Sequence, residues 1–193
     1  MSLKAKLIST ISAFCLVLAL LVVGVFAAQS ATIQLGGTVS FTATAVVGDV
    51  TITYSGEENS QLRLYAEFDA DTPEGEEVDW IEGDPDAQNL VFTQGEPITV
   101  TITIHNAAID RSMWVLFDNL PSTTMSTGTV SVSTPTYGTS GTGSAVAADT
   151  PFQVLAGQTI QVQFSLSITS GYNNDLSGTW TCAFDLSNDN PNA

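Results

Sequence analysis

Ile98 to His105 reads ITVTITIH, in which Ile98, Val100, Ile102 and Ile104 alternate with Thr99, Thr101, Thr103 and His105. Side chains of an extended strand point to opposite faces in turn, so this stretch makes one apolar face and one wet face. The same period of two runs through IQVQFSLSI (160–168) and TWTCAFDL (179–186). Ile160, Val162, Phe164, Leu166 and Ile168 share one face of the former; Trp180, Cys182, Phe184 and Leu186 share one face of the latter. β-Branched residues fill many of these positions, as a half-buried pleated surface favours.

Working outward, further strands read as VSFTATAV (39–46), DVTITYS (49–55), QLRLYAEF (61–68), NLVF (89–92), SMWVLF (112–117) and TVSVS (129–133). Met113 to Phe117 is apolar on both faces, which predicts a central strand covered on each side. Turn chemistry separates the strands at Gly36-Gly37, Gly48-Asp49, Gly95-Glu96-Pro97, Gly157-Gln158 and Asn173-Asn174-Asp175. About nine to ten short strands predict an all-β fold: an antiparallel β-sandwich with jelly-roll or Ig-like Greek-key connections. The one helix expected is an N-terminal signal helix.

That helix comes from the leading residues. Lys4 and Lys6 precede an apolar run from Ala13 to Ala28, and Val25-Phe26-Ala27 supplies small residues at −3 and −1 of a cleavage site. Residues 1–27 thus read as a secretory signal peptide, and a retained membrane anchor is the competing reading. Cleavage places the mature protein outside the cell, secreted or at the cell surface. Residues 28–37 then form an N-terminal segment, and 38–193 form the sandwich domain.

Composition excludes several functions. Four Lys+Arg stand against twenty Asp+Glu, a formal charge of −16. Loss of Lys4 and Lys6 leaves Arg63 and Arg111 against the same twenty carboxylates, or −18. Such a chain has no means to neutralise phosphates, so nucleic acid is not a partner; nor is an anionic membrane after signal removal. Cys15 leaves with the signal and Cys182 stays alone, so no disulfide framework exists within one chain.

Two stretches break the strand pattern. EFDADTPEGEEVDWIEGDPD (67–86) carries ten carboxylates, and 121–150 turns to Ser, Thr, Gly and Ala as a decorated insertion. Clustered carboxylates suit calcium, which takes six to eight oxygen ligands. Asp69, Asp71, Glu74, Glu76, Glu77 and Asp79 are the candidate ligands, and calcium is the only cofactor suggested. The spacing is not that of an EF-hand: Pro73 replaces the third ligand, Glu74 the glycine and Trp80 the final glutamate. A solvated acidic loop that keeps a sheet edge from aggregating explains the same residues with fewer demands.

Nothing in the residue order reads as an enzyme. His105 is the sole histidine and has no zinc-ligand companions. GTSGTG (138–143) is no nucleophile elbow, and no pair of carboxylates stands out. Trp114 and Trp180 lie in strand interiors, which leaves Trp80 as the aromatic to watch for ligand contact.

In layout the chain resembles the TasA/camelysin family of exported bacterial matrix and fibre proteins. MSLKAKLISTISAFCLVLALLVVGVFA (1–27) leads straight into an acidic β-rich domain. GEPITVTITIHNAAIDRSMWVLF (95–117) is similar to that family's central strand pair, and LAGQTIQVQFSLSITSGYNNDLSGTWTCAFDL (155–186) to its closing hairpin. Residues 67–86 and 121–150 have no counterpart in it. The resemblance implies a jelly-roll-like sandwich that self-associates into filaments, the N-terminal segment of one subunit completing the sheet of the next. Here that donor would be Ala28, Gln29, Ser30, Ala31, Thr32, Ile33, Gln34 and Leu35, with Gly36-Gly37 as hinge. The protease label attached to camelysin is not implied, since zinc ligands are missing. The expected function is therefore a secreted structural subunit of an extracellular fibre or biofilm matrix. The alternative is a cell-surface adhesion or binding module, calcium-dependent through the acidic loop.

Overall fold

Twelve strands are divided between two sheets in the computed structural model, which describes residues 33–92, 96–125, 130–168 and 176–191. In chain order they are β1 (Ile33–Thr44), β2 (Gly48–Tyr54), β3 (Arg63–Phe68), β4 (Asn89–Val91), β5 (Ile98–Asn106) and β6 (Met113–Thr123). The remaining six are β7 (Val130–Val132), β8 (Thr136–Gly138), β9 (Ser144–Ala145), β10 (Phe152–Val154), β11 (Thr159–Ile168) and β12 (Leu176–Ser187). Sheet A runs β10-β6-β12-β1-β4; sheet B runs β3-β2-β5-β11-β8-β9, with β7 also on β11. The inward faces pack into one core, so the fold is an all-β sandwich. The expected signal helix lies outside the described residues.

The period of two decides which side chains enter that core. Ile98, Val100, Ile102 and Ile104 of β5 face in, and so do Ile160, Val162, Phe164 and Leu166 of β11. Between the sheets Phe41, Phe184 and Phe117 stack in that order at 5.2 Å centroid spacings. Trp180, fully buried, meets Phe164 and Tyr54 edge-on. Three features depart from the sequence reading. β9 and β10 depart from it because strands of two or three residues are too short to show a period. β6 lies inside its sheet, yet Trp114 and Leu116 on its outward face are only half-buried, since no further layer covers sheet A among the described residues.

The third departure concerns the leading strand. β1 pairs with β12 in parallel over all twelve of its residues, the one parallel pairing among the described residues, so the sandwich is not wholly antiparallel. It runs unbroken through Gly36-Gly37, so Ile33 to Gly37 are part of the sandwich and the two glycines are no hinge. Gly37 is a packing notch: a Cβ there would lie 2.6 Å from the indole nitrogen of Trp180. Only a residue without a side chain lets the Trp180 ring lie this close to the β1 backbone.

Candidate functional site

An open sheet margin carries unpaired N–H and C=O groups that recruit other chains, so the margins are where an assembling protein must act or protect itself. Along β1 that margin is closed by the acidic stretch. Val78 N–H donates to the Phe41 carbonyl at 2.9 Å, and Gly37 N–H to that of Gln88 at 3.0 Å. Between them the Trp80 indole N–H donates to the Val39 carbonyl at 3.1 Å, its ring edge-on to Phe41 at 5.4 Å. The same stretch reaches the margin of sheet B, where Ile81 N–H donates to the Tyr65 carbonyl and Tyr65 N–H to that of Glu82. It therefore straps the edge of one sheet to the edge of the other.

The carboxylates face outward from this strap. Asp69, Asp71, Glu74, Glu76, Glu77 and Asp79 are all exposed, and among the described residues no three acidic, histidine or cysteine side chains are placed to share one metal ion. The reason is local: Val78 and Trp80 are the inward anchors, and their alternation turns Glu77 and Asp79 to water. Trp80 is thereby an anchor with its N–H engaged, not a free contact residue.

Two buried amides finish the margin, and neither was legible beforehand. Asn59, 2% exposed, acts as a stand-in peptide group: its Nδ2 donates to the Val91 carbonyl and its Oδ1 accepts from Val91 N–H, both at 2.9 Å. Those are the groups β4 turns away from β1. Gln88 donates from Nε2 to the Arg63 carbonyl, tying the two sheets together where β4 begins. A lone Asn or Gln in a polar connection carries no periodic signal, so pattern reading passes over it.

On the opposite flank the Ser/Thr-rich insertion does the corresponding work. β7 and β8 cover β11, β10 covers the start of β6, and Tyr137 stacks on Phe152 at 4.0 Å to join the two layers. Beyond β10, Asp149 N–H reaches the Phe117 carbonyl, and Pro121 removes a donor from the rest of β6.

Of the expected donor segment, Ala28, Gln29, Ser30, Ala31 and Thr32 lie outside the described residues. Ile33, Gln34 and Leu35 are not free: they open β1, paired with Leu176–Gly178 of β12 on one side and with β4 on the other. Ile33 and Leu35 point into the core at 2% and 0% exposure. Burying each contributes on the order of 1.5–3 kcal/mol, which holds the segment in its own subunit in this form.

His105 Nδ1 and Asp49 Oδ2 face each other at 2.8 Å across β5 and β2, and among the described residues no hydroxyl or thiol hydrogen-bonds to that imidazole. Burial pushes the Cys182 thiol up to about 12, far from a reactive thiolate. The Tyr65 phenol is pushed up to about 12 as well, first by its hydrogen bond to Glu67 and then by lost hydration. Asp118, on the outward face of sheet A, has its carboxyl raised by lost hydration first. The charge of Asp185 and a hydrogen bond to it add to that, followed by the charge of Asp149. Asp185 also accepts from the Thr42 hydroxyl.

Compared with protein-family models and with curated proteins, the chain matches none.

Proposed function

We propose that this chain is a secreted structural subunit of an extracellular fibre or biofilm matrix, extended head to tail by donor-strand addition. The observation that carries this reading is the seat of β1. The first of the described strands lies in a slot between β12 and the three-residue β4, while the chain's own loops and short strands occupy both flanks. A strand at the leading end of a domain can leave its slot without threading, and the same slot accepts the same strand from a second copy. Sealed flanks disfavour side-by-side sheet growth and leave the slot as the route for pairing. Exchange passed from copy to copy in one direction, without closing into a ring, yields filaments. The acidic face suits a soluble subunit that must stay dispersed until it is added.

The test locks the strand at home. Gln34 and Ser177 are opposed in the β1–β12 register and both are exposed, so Gln34→Cys with Ser177→Cys can join β1 to β12 without touching the core. Oxidised, this variant of residues 28–193 is expected to stay monomeric by sedimentation and electron microscopy, and reductant restores filaments. Filaments that form equally well from the locked protein would end the strand-addition reading.

A further inference from the structure

The two sides of β1 are held differently. Toward β12 it is paired in register over all twelve residues, whereas toward the margin β4 pairs with Gln34–Gly36 alone. Beyond Gly36 the acidic stretch takes over, running antiparallel to β1 as an irregular continuation of β4. Gln88 meets Gly37, Asp86 accepts from the Thr38 hydroxyl at 3.2 Å, Trp80 meets Val39, Val78 meets Phe41, and Glu77 lies opposite Thr42. β1 therefore stays in its slot until this stretch lifts.

The span beside the middle of β1 is built to lift. Residues 76–82 are bracketed by Gly75 and Gly83, both in the left-handed region at φ 76° and 86°. A Cβ at Gly75 would meet nothing within 4 Å, whereas one at Gly83 would lie 2.2 Å from the Arg63 carbonyl. Gly75 is thus a free joint and Gly83 a fixed one. The fixed side also keeps the foot on β3, where Ile81 N–H and Glu82 N–H donate to the Tyr65 carbonyl at 2.8 and 3.1 Å. The free side is fastened to β1 by buried Val78 and half-buried Trp80. Glu74, Glu76, Glu77 and Asp79 around them are exposed and of one sign, so their repulsion favours the lifted state. A segment with few buried apolar anchors and many solvated charges belongs to the low-stability end of a fold.

We propose that residues 76–82 are a latch on β1: they swing off about the Gly83 side, and only then does β1 leave its slot for a second copy. The proposal rests on the fibre reading and supplies its regulation. Trp80 is the catch. Its indole N–H holds the Val39 carbonyl, and its ring lies edge-on to Phe41, which stacks in turn on Phe184 of β12. Opening the latch exposes little surface compared with unfolding the sandwich, so the two events differ in their response to denaturant.

The experiment follows amide hydrogen exchange in residues 28–193, residue by residue, in urea below the unfolding transition, with electron microscopy of the same samples. The Val39 and Phe41 carbonyls point to the strap, so the amides of Ser40 and Thr42 point to β12 and report release of β1. Ile102 and Val162, paired in the middle of sheet B, report global unfolding. Exchange at Ser40 and Thr42 is expected to rise with urea at less than half the slope seen at Ile102 and Val162. Trp80→Ala is expected to speed it at least tenfold and to shorten the lag before filaments form. Trp80→Phe keeps the ring and loses the N–H, and its effect falls between parent and alanine; it carries the test if the alanine variant does not fold. In the oxidised Gln34→Cys/Ser177→Cys background the faster assembly disappears, because the unlatched strand cannot leave. Ser40 and Thr42 sharing the urea slope of Ile102, or unmoved by either substitution, would overturn the latch. A parent lag in a variant whose β1 exchanges faster overturns its control of assembly. Faster β1 exchange in protein that never forms filaments keeps the latch and ends the fibre reading.

Discussion

Alanine at Gly37 and alanine at Gly36 should have opposite effects, although the two positions are adjacent in one strand. A Cβ at Gly37 would sit 2.6 Å from Nε1 of Trp180 and 2.7 Å from its Cε2 and Cζ2. Ordinary carbon contacts need about 3.5–4.0 Å, so the indole must retreat by about 1 Å. It has little room to do so: Trp180 is fully buried, with Phe164 at 5.6 Å and Tyr54 at 6.3 Å. Overpacking of this kind costs about 1–3 kcal/mol, and a ring confined by two others belongs near the upper figure. For a domain of this length a loss of about 3 kcal/mol lowers the melting midpoint by roughly 6–12 °C. At Gly36 the nearest atom, Asn89 Oδ1, would be 3.6 Å away, an ordinary contact. Gly36→Ala should therefore be neutral or gain about 0.5–1 kcal/mol through reduced chain entropy. Thermal unfolding followed by tryptophan fluorescence measures both. A hinge at this dipeptide makes the two substitutions behave alike. Gly37→Ala melting within 2 °C of the parent, or Gly36→Ala losing as much as Gly37→Ala, would refute the packing notch.

Other consequences are open to measurement. Asn59→Ala leaves both outward groups of Val91 without their partner, which should cost about 1–3 kcal/mol and speed amide exchange at Val91 well beyond that at Leu90. Asp118 has a folded-state pKa raised above its unfolded value, so its contribution is fully present below the unfolded pKa and is lost as pH rises through the folded one. Asp118→Asn should accordingly stabilise the protein at pH 7 and flatten the rise in melting midpoint that the parent shows on mild acidification. The Cys182 thiol, buried and pushed up to about 12, should react with an aromatic disulfide reagent only at the rate of unfolding. Rapid labelling of the native protein would show that β12 opens locally.

The sandwich was legible because long strands with one buried face write their period into the sequence, as β5, β11 and β12 do. The use of the acidic stretch was half-legible. Its charge announced a solvated loop guarding an edge, but Val78 and Trp80, which fasten it to β1, are two apolar residues in a polar run and give no period. Gly36-Gly37 misled for a physical reason: glycine marks flexibility in a turn and close approach in a strand, and only the position of Trp180 decides between them. The parallel partnership of β1 with β12 joins residues nearly the whole chain apart, a distance at which local pattern carries no information.

That partnership also governs when the protein can fold. β12, the last of the twelve described strands in chain order, lies in the middle of its sheet, flanked by β6 and β1. Until it emerges, the earlier strands of that layer have no common neighbour, and the aromatic stack lacks Phe184, its central ring. Closing so long a loop is entropically slow, so completion waits for Leu176–Ser187. A ribosome or a translocation pore would thus handle a nascent polypeptide that stays open until β12 is released.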